Sequence, residues 1–334
     1  MKRSSVLAAG FGMLLLILDS RCAAQSARDA LELCLKTVIP SLFPMFVLSG
    51  ILVSFCRGAS GKIMARMEGA IGLPSGGGVL FLLGILGGFP VGAQSIAQAV
   101  ENRQLSRSNG EQMLGFCNNC SPAFLFGIAG SIFSPPTAAL WIFLIQLETA
   151  LLVAFITKFE SESLSAAPEI PSASGGAIPR AIRSMATVCA WVILAGVAVG
   201  FLERWVYPML PGIFPRIISG LAEITCGIMG LASVGEESVR FILCTGFVCF
   251  GGFSVWMQIA SIASGQALSP AICFRQKTIQ GILGSILAFA VLHIGPTALL
   301  ILPVLMMIQK KRLEKPTHNV YNVFHKGGLD HVVP

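Results

Sequence analysis

Charged side chains are scarce in this sequence. Asp, Glu, Lys and Arg make up 12% of its 334 residues, against about 25% in ordinary globular domains, and that shortage excludes a surface solvated mainly by water. Catalytic constellations are missing as well. There is no complete zinc motif, no Ser-His dyad and no catalytic pairing of carboxylates within the apolar runs, so nothing recommends an intramembrane enzyme or a bound cofactor. No basic stripe is interleaved with stacking aromatics, which speaks against nucleic acid as a partner despite the net charge of +7.

Long apolar runs take the place of these features. Val38 to Phe55, Pro136 to Thr157 and Met185 to Phe201 approach the roughly 20 residues that a membrane-crossing helix needs. Ile217 to Val234, Phe241 to Ala263, Ile279 to His293 and Thr297 to Ile308 continue the series. Between them lie short basic clusters: Arg57 with Lys62 and Arg66, Arg103 with Arg107, and Lys310, Lys311, Arg312 and Lys315. This is the positive-inside pattern of a multi-pass protein whose first partner is the lipid bilayer. Most of the ten cysteines sit in apolar runs, where a free thiol behaves as a small hydrophobe. Cys117 and Cys120 have C-x-x-C spacing, but no second pair or nearby histidine completes a metal site.

Composition also suggests boundaries. Residues 1–25 read as an N-terminal transmembrane helix; Lys2-Arg3 and the apolar stretch Val6 to Leu18 also resemble a signal peptide, although a first helix can serve as its own insertion signal. Ala27 to Thr37 sets Arg28, Asp29, Glu32 and Lys36 against Leu31, Leu33 and Leu35, the pattern of an interfacial helix, and Pro40 and Pro44 suit the start of the next span. Residues 26–158 and 179–308 form two halves, separated by a polar linker at 159–178 and followed by a polar, disordered tail at 309–334 that holds His318, His325 and His331.

Three places inside the apolar runs break the helical pattern or carry polar groups. Gly87-Gly88-Phe89-Pro90-Val91-Gly92 divides Gly76 to Val100 into two half-helices. Asn118-Asn119-Cys120-Ser121-Pro122 interrupts Met113 to Phe133, and irregular backbone at that depth must be buried in protein or line a wet cavity. The third is a partial copy of the first: Gly87 to Gln94 recurs 164 residues later as Gly251-Gly252-Phe253-Ser254-Val255-Trp256-Met257-Gln258, with five of eight positions identical. Allowing one extra residue at Ser95, Ile96-Ala97 aligns with Ile259-Ala260 and Leu105-Ser106 with Leu268-Ser269. Paired interruptions in two halves point to a transporter binding site.

The expected fold is therefore an all-α polytopic membrane protein built from two pseudo-repeat halves, inverted relative to one another, each with a broken or re-entrant helix. Backbone at Gly87, Gly88, Gly251 and Gly252 would offer unpaired dipoles to a solute. Gln94, Gln258, Asn118, Asn119, Ser121 and Thr225 would add neutral hydrogen-bonding groups suited to a small anionic or heteroaromatic solute. Helix capping and interhelical bonding are the alternative roles for these amides. Glu148 and Glu223 are ionisable groups in apolar runs and candidates for coupling to a proton or sodium ion. A structural partner such as Gln146 is the alternative for Glu148. Lys277 is either counter-charge to the solute or a loop cation, and His293 either a proton relay or helix-end packing.

With these motifs in hand, the chain resembles the sporulation integral membrane protein family YlbJ, also called SpoVV, whose members carry the nucleoside-recognition Gate domain. The resembling stretches are Pro40 to Pro44, Gly87 to Gln94, Phe116 to Pro122, Glu223-Ile224-Thr225-Cys226-Gly227 and Gly251 to Gln258, within about residues 30 to 295. This resemblance implies an architecture similar to concentrative nucleoside transporters, with paired re-entrant hairpins. It also implies residence in a bacterial cytoplasmic membrane, the outer forespore membrane included, and movement of dipicolinate during spore formation. Cys120-Ser121 stands where the family would have Gly or Pro, a departure that bears on the substrate more than on the fold.

Overall fold

The computed structural model describes residues 3–40, 42–44, 46–48, 62–135, 137–160 and 176–300. Arg57, the basic cluster from Lys310, the three tail histidines and most of the linker lie outside these residues. The described residues form helices: α1 Arg3–Leu18, α2 Ser20–Leu33, α3 Lys62–Ile71, α4 Gly77–Gly87, α5 Val91–Glu101, α6 Arg107–Met113 and α7 Pro122–Ile132. The second half adds α8 Ala138–Ile156, α9 Ala177–Trp205, α10 Phe214–Ala222, α11 Ile224–Leu231, α12 Glu237–Phe250, α13 Gly252–Gly265 and α14 Ala271–Ile294.

Among the described residues four segments are long and apolar enough to cross a membrane: Ala138–Ile156, Ala181–Trp205, Glu237–Gly265 and Ala271–Ile294. A fifth arises if Ser20–Val38 and Leu42–Leu48, bent by 55°, form one broken span.

Helices α8, α12 and α14 pack on one another and form the core. Apart from Gln146, Glu148 and Thr149, α8 is apolar on every side, as a helix enclosed by protein or lipid must be. α12 and α14 approach through glycine. A Cβ on Gly284 would lie 2.6 Å from Cys249 Sγ, one on Gly281 2.9 Å from Phe250 Cβ, and one on Gly246 2.3 Å from Ser285 Oγ. Lipid supplies no hydrophobic drive between helices, so close backbone approach and its dispersion contacts hold them together.

The same device joins α2 to α9, and it corrects the interfacial reading of residues 27–37. The helix begins earlier, with Asp19 accepting the Cys22 N–H as its cap, and continues through Val38. Its packed face is Ala23, Ala30, Cys34 and Val38, while Leu31 and Leu35 are exposed. Ala30 and Ser26 sit over Gly196 and Gly200, and Arg204 pairs with Asp19 at 2.6 Å. Small residues seven and four apart make the better contact because they let the helix axes come close.

The interruptions occur where the sequence places them, with one more besides. α4 and α5 fold against each other as a hairpin about residues 88–90. A turn at 114–117 and non-helical residues 118–121 separate α6 from α7. The copied motif behaves differently: α12 and α13 do not fold back on each other, and the break at Gly251 stays within one long apolar segment. Paired hairpins are thus not what the described residues form. Two glycines in succession at positive φ, 90° and 82°, break the helix at this point. The additional interruption splits the run Ile217 to Val234 at Glu223, whose backbone is extended.

Gly200→Leu is expected to force α2 from α9, since even a Cβ there would lie 1.9 Å from Ser26 Oγ. Destabilisation of about 1–3 kcal/mol should appear as a lower melting temperature in detergent, while Gly265→Ala, with open space around it, should cost no more than the ordinary scatter of a surface change.

Candidate functional site

The hairpin α4–α5 reaches the second interruption by backbone contact. A Cβ on Gly84 would lie 1.7 Å from the Cys117 carbonyl oxygen, one on Gly92 2.2 Å from that same atom, and one on Gly88 2.7 Å from Ser121 Cβ. Glycine at 88 also carries the φ of +71° that the turn requires. Asn118 completes the joint. Its Oδ1 accepts the Ala93 N–H at 2.8 Å, capping α5, and its Nδ2 donates to the Leu114 carbonyl at 2.5 Å. Ser121 Oγ accepts the Phe124 N–H and caps α7. Capping is therefore the observed role of both residues.

Cys120 is held by a two-way amide clamp. Gln146, fully buried on α8, accepts the Cys120 N–H at 2.9 Å and donates to its carbonyl at 3.0 Å. This accounts for the side-chain amide of Gln146, which is thus engaged with the interrupted segment and not reserved for Glu148. Sequence reasoning missed the clamp; an amide beside Glu148 and Thr149 inside a long apolar helix was the available signal.

Asn119 leads to the centre. Its Nδ2 donates to the Phe116 carbonyl at 2.7 Å, and its Oδ1 accepts from Lys277 Nζ at 3.3 Å. Lys277 is 2% exposed, in the second turn of α14, and is therefore no loop cation. Its ammonium also donates to Gln280 Oε1 at 2.7 Å and to the Cys249 carbonyl at 3.4 Å, and lies 5.4 Å from the Phe89 ring centroid. One side chain thus touches the hairpin turn, the Asn-Asn segment and the last turn of α12.

The fourth interruption closes the arrangement. A Cβ on Gly251 would lie 3.0 Å from Phe89 Cζ, so the two Gly-Gly-Phe motifs meet; α5 and α13 pack on each other behind them. A Cβ on Gly252 would lie 3.3 Å from the Ile224 nitrogen, which brings α13 onto the break at Glu223. Glu223 is buried, and its Oε2 accepts the Cys226 N–H at 2.7 Å as the cap of α11.

Between these elements is a cavity of about 40 Å³, lined by Phe89, Cys120, Ser121, Glu223, Thr225 and Gln258 among others. Gln258 Oε1 is buried there without a hydrogen-bond partner. Its counterpart Gln94 is exposed, because the buried face of α5 is Gly92, Ala93, Ser95 and Ile96 and residue 94 falls outside it. Glu148 is half-buried on α8 and is not among the cavity's lining residues. His293, at the exposed end of α14, stacks on Phe289 at 4.0 Å, which matches helix-end packing and not a relay.

The chain is 22% identical to the sporulation integral membrane protein YlbJ of Bacillus subtilis (strain 168), across 85% of this chain and 82% of that protein. No family model matches. Nor does any solved structure. The chain is thus a distant homologue of YlbJ, related at the family level, and a multi-pass integral membrane protein.

Gln146→Leu keeps the volume but leaves the N–H and C=O of Cys120 unpaired in the core. At about 1–3 kcal/mol for each orphaned group, the variant should melt well below the wild type in detergent, and a change of less than about 1 kcal/mol would show that the clamp is dispensable.

Proposed function

Taking the chain as a distant homologue of the sporulation protein YlbJ, we propose that it is a carrier that moves a small polar or anionic solute by alternating access around its broken helices. Dipicolinate is the solute this reading favours, in the cytoplasmic or outer forespore membrane of a sporulating bacterium. Support comes from one observation above all: the interruptions at 88–90, 118–121, 223 and 251–252 converge, and three of them contribute residues to the same cavity. Irregular backbone at membrane depth has to be buried or line a cavity, and here it does both.

The proposal divides the labour among the lining residues. Thr225, Ser121 and Gln258 offer hydroxyl and amide groups to ring nitrogen and carboxylate oxygen, Asn119 supports Lys277 behind the Phe89 ring, and Glu223 is the coupling carboxylate. Asn118 positions α5 and Gln94 takes no part. At about 40 Å³ the cavity has room for a few water molecules and not for a heteroaromatic dicarboxylate, so in this reading the present form is closed. The hairpin α4–α5 is the moving piece, since its contact with the Asn-Asn segment is made through glycines and has little side-chain interlock.

The two halves are read as an inverted repeat, with residues 26–158 and 179–308 as its units. Local likeness supports this. Leu105 and Leu268 each return an N–H to an alanine carbonyl, of Ala99 and Ala263, and Ser106 and Ser269 each accept a backbone N–H at the start of the following helix. A non-transporting scaffold in spore assembly has one observation in its favour: Asn118, Asn119 and Gln146 direct their amides to protein groups.

Uptake into vesicles, with dipicolinate offered beside nucleosides, separates these readings. The wild type should accumulate dipicolinate. Glu223→Gln and Asn119→Ala should each reduce flux at least about tenfold, the effect of about 1.4 kcal/mol, with unchanged insertion. Nucleoside uptake alone would change the substrate, and no flux of either solute would favour the scaffold.

A further inference from the structure

We infer that Lys277 is a tethered cation: its ammonium fills an oxygen cage that a free monovalent cation would otherwise occupy, so the protein needs no sodium ion where its helix breaks meet. The partners carry this inference. They are the Asn119 amide oxygen, the Gln280 amide oxygen and the Cys249 carbonyl, with the Phe89 ring beyond them. All are neutral and electron-rich, and three oxygens match the three N–H donors of an ammonium. Among the described residues no carboxylate forms an ion pair with Lys277; the thiols of Cys117, Cys120, Cys249 and Cys273 complete its surroundings.

Such a donor set differs from that of a structural salt bridge. Side-chain amides and a backbone carbonyl exposed by a helix break are the groups that replace water around an alkali cation in membrane proteins. The Cys249 carbonyl belongs to the last turn of α12, where the break at Gly251 leaves carbonyls without helical partners and at the negative end of the helix dipole. Gln280 turns its oxygen toward the ammonium although its Nε2 is then buried without a partner. The cage is thus arranged for positive charge, and the lysine stem delivers that charge from a fixed point on α14.

The cage stands independently of any transported solute; only its consequence, carriage without sodium coupling at this point, rests on the transport reading. Truncating the stem should leave the oxygens facing a void that a free cation can enter. Melting temperatures in detergent can be compared in sodium chloride and choline chloride at equal ionic strength. The wild type should melt at the same temperature in both. Lys277→Ala should be destabilised in choline and raised by sodium by about 3 °C or more, the shift expected of a ligand at about tenfold its Kd. Lys277→Met, which fills the void without charge, should be destabilised and indifferent to sodium. Sodium stabilisation of the wild type, equal responses of the alanine and methionine variants, or failure of Lys277→Ala to fold even in sodium would overturn the inference. Because the readout is stability, its failure is distinct from an absence of flux in the vesicle assay.

Discussion

A lysine ammonium enclosed by helices, with neutral oxygens as its partners, is the constraint around which this molecule is organised. A charge in a membrane helix costs at most about 2.5–3.5 kcal/mol by insertion scales, the value at the helix centre, and hydrogen bonds to a charged group return about 1.5–3 kcal/mol each. Lys277 makes three, to Asn119, Gln280 and Cys249. By these figures two of the bonds cover the burial and the third adds to it. Two of the partners come from interrupted segments, and the ring behind comes from the hairpin turn. Lys277 thus favours the arrangement in which the interruptions meet.

The glycines make that arrangement sterically feasible. α12 and α14 must come close for Cys249 to reach Lys277, and they do so across Gly281 and Gly284. The hairpin must lie on the Cys117 carbonyl for Asn118 to reach Ala93, and it does so across Gly84 and Gly92. Gly84 and Gly92 lie against the Cys117 carbonyl and Gly281 and Gly284 against the Cβ and Sγ atoms of Phe250 and Cys249, so in each case a single methyl group would separate the pair. Such joints have good van der Waals contact but little mechanical interlock, which suits elements that slide or rock.

The amides show how one residue can appear functional in sequence and structural in three dimensions. Asn118 satisfies the Ala93 N–H and the Leu114 carbonyl, and Gln146 both backbone groups of Cys120, as buried polar groups in an apolar medium must be satisfied. Glu223 caps α11 and also lines the cavity. Capping a broken helix and presenting a polar face to a solute are compatible, because the break creates both the orphan donors and the space beside them.

From the sequence alone came the membrane class, the major apolar segments, the interruptions at Gly87-Gly88 and Asn118-Asn119, and the relationship to the sporulation family. The first three are properties of composition or of local backbone preference, and the last is a likeness of motifs; a linear reading can register both. Tertiary structure decided the rest: that Gly88 turns a hairpin while Gly251 lies within a longer span, that Gln94 faces away while Gln258 faces in, that α2 packs through Ala23 and Ala30 and leaves Leu31 exposed, and that Lys277 is enclosed and not in a loop. Identical glycine motifs differ in outcome because the chain's path after a break is set by the surface it packs on. For the same reason a cation's role depends on which oxygens the other helices bring to it, and those lie from 3 to 158 residues away along the chain.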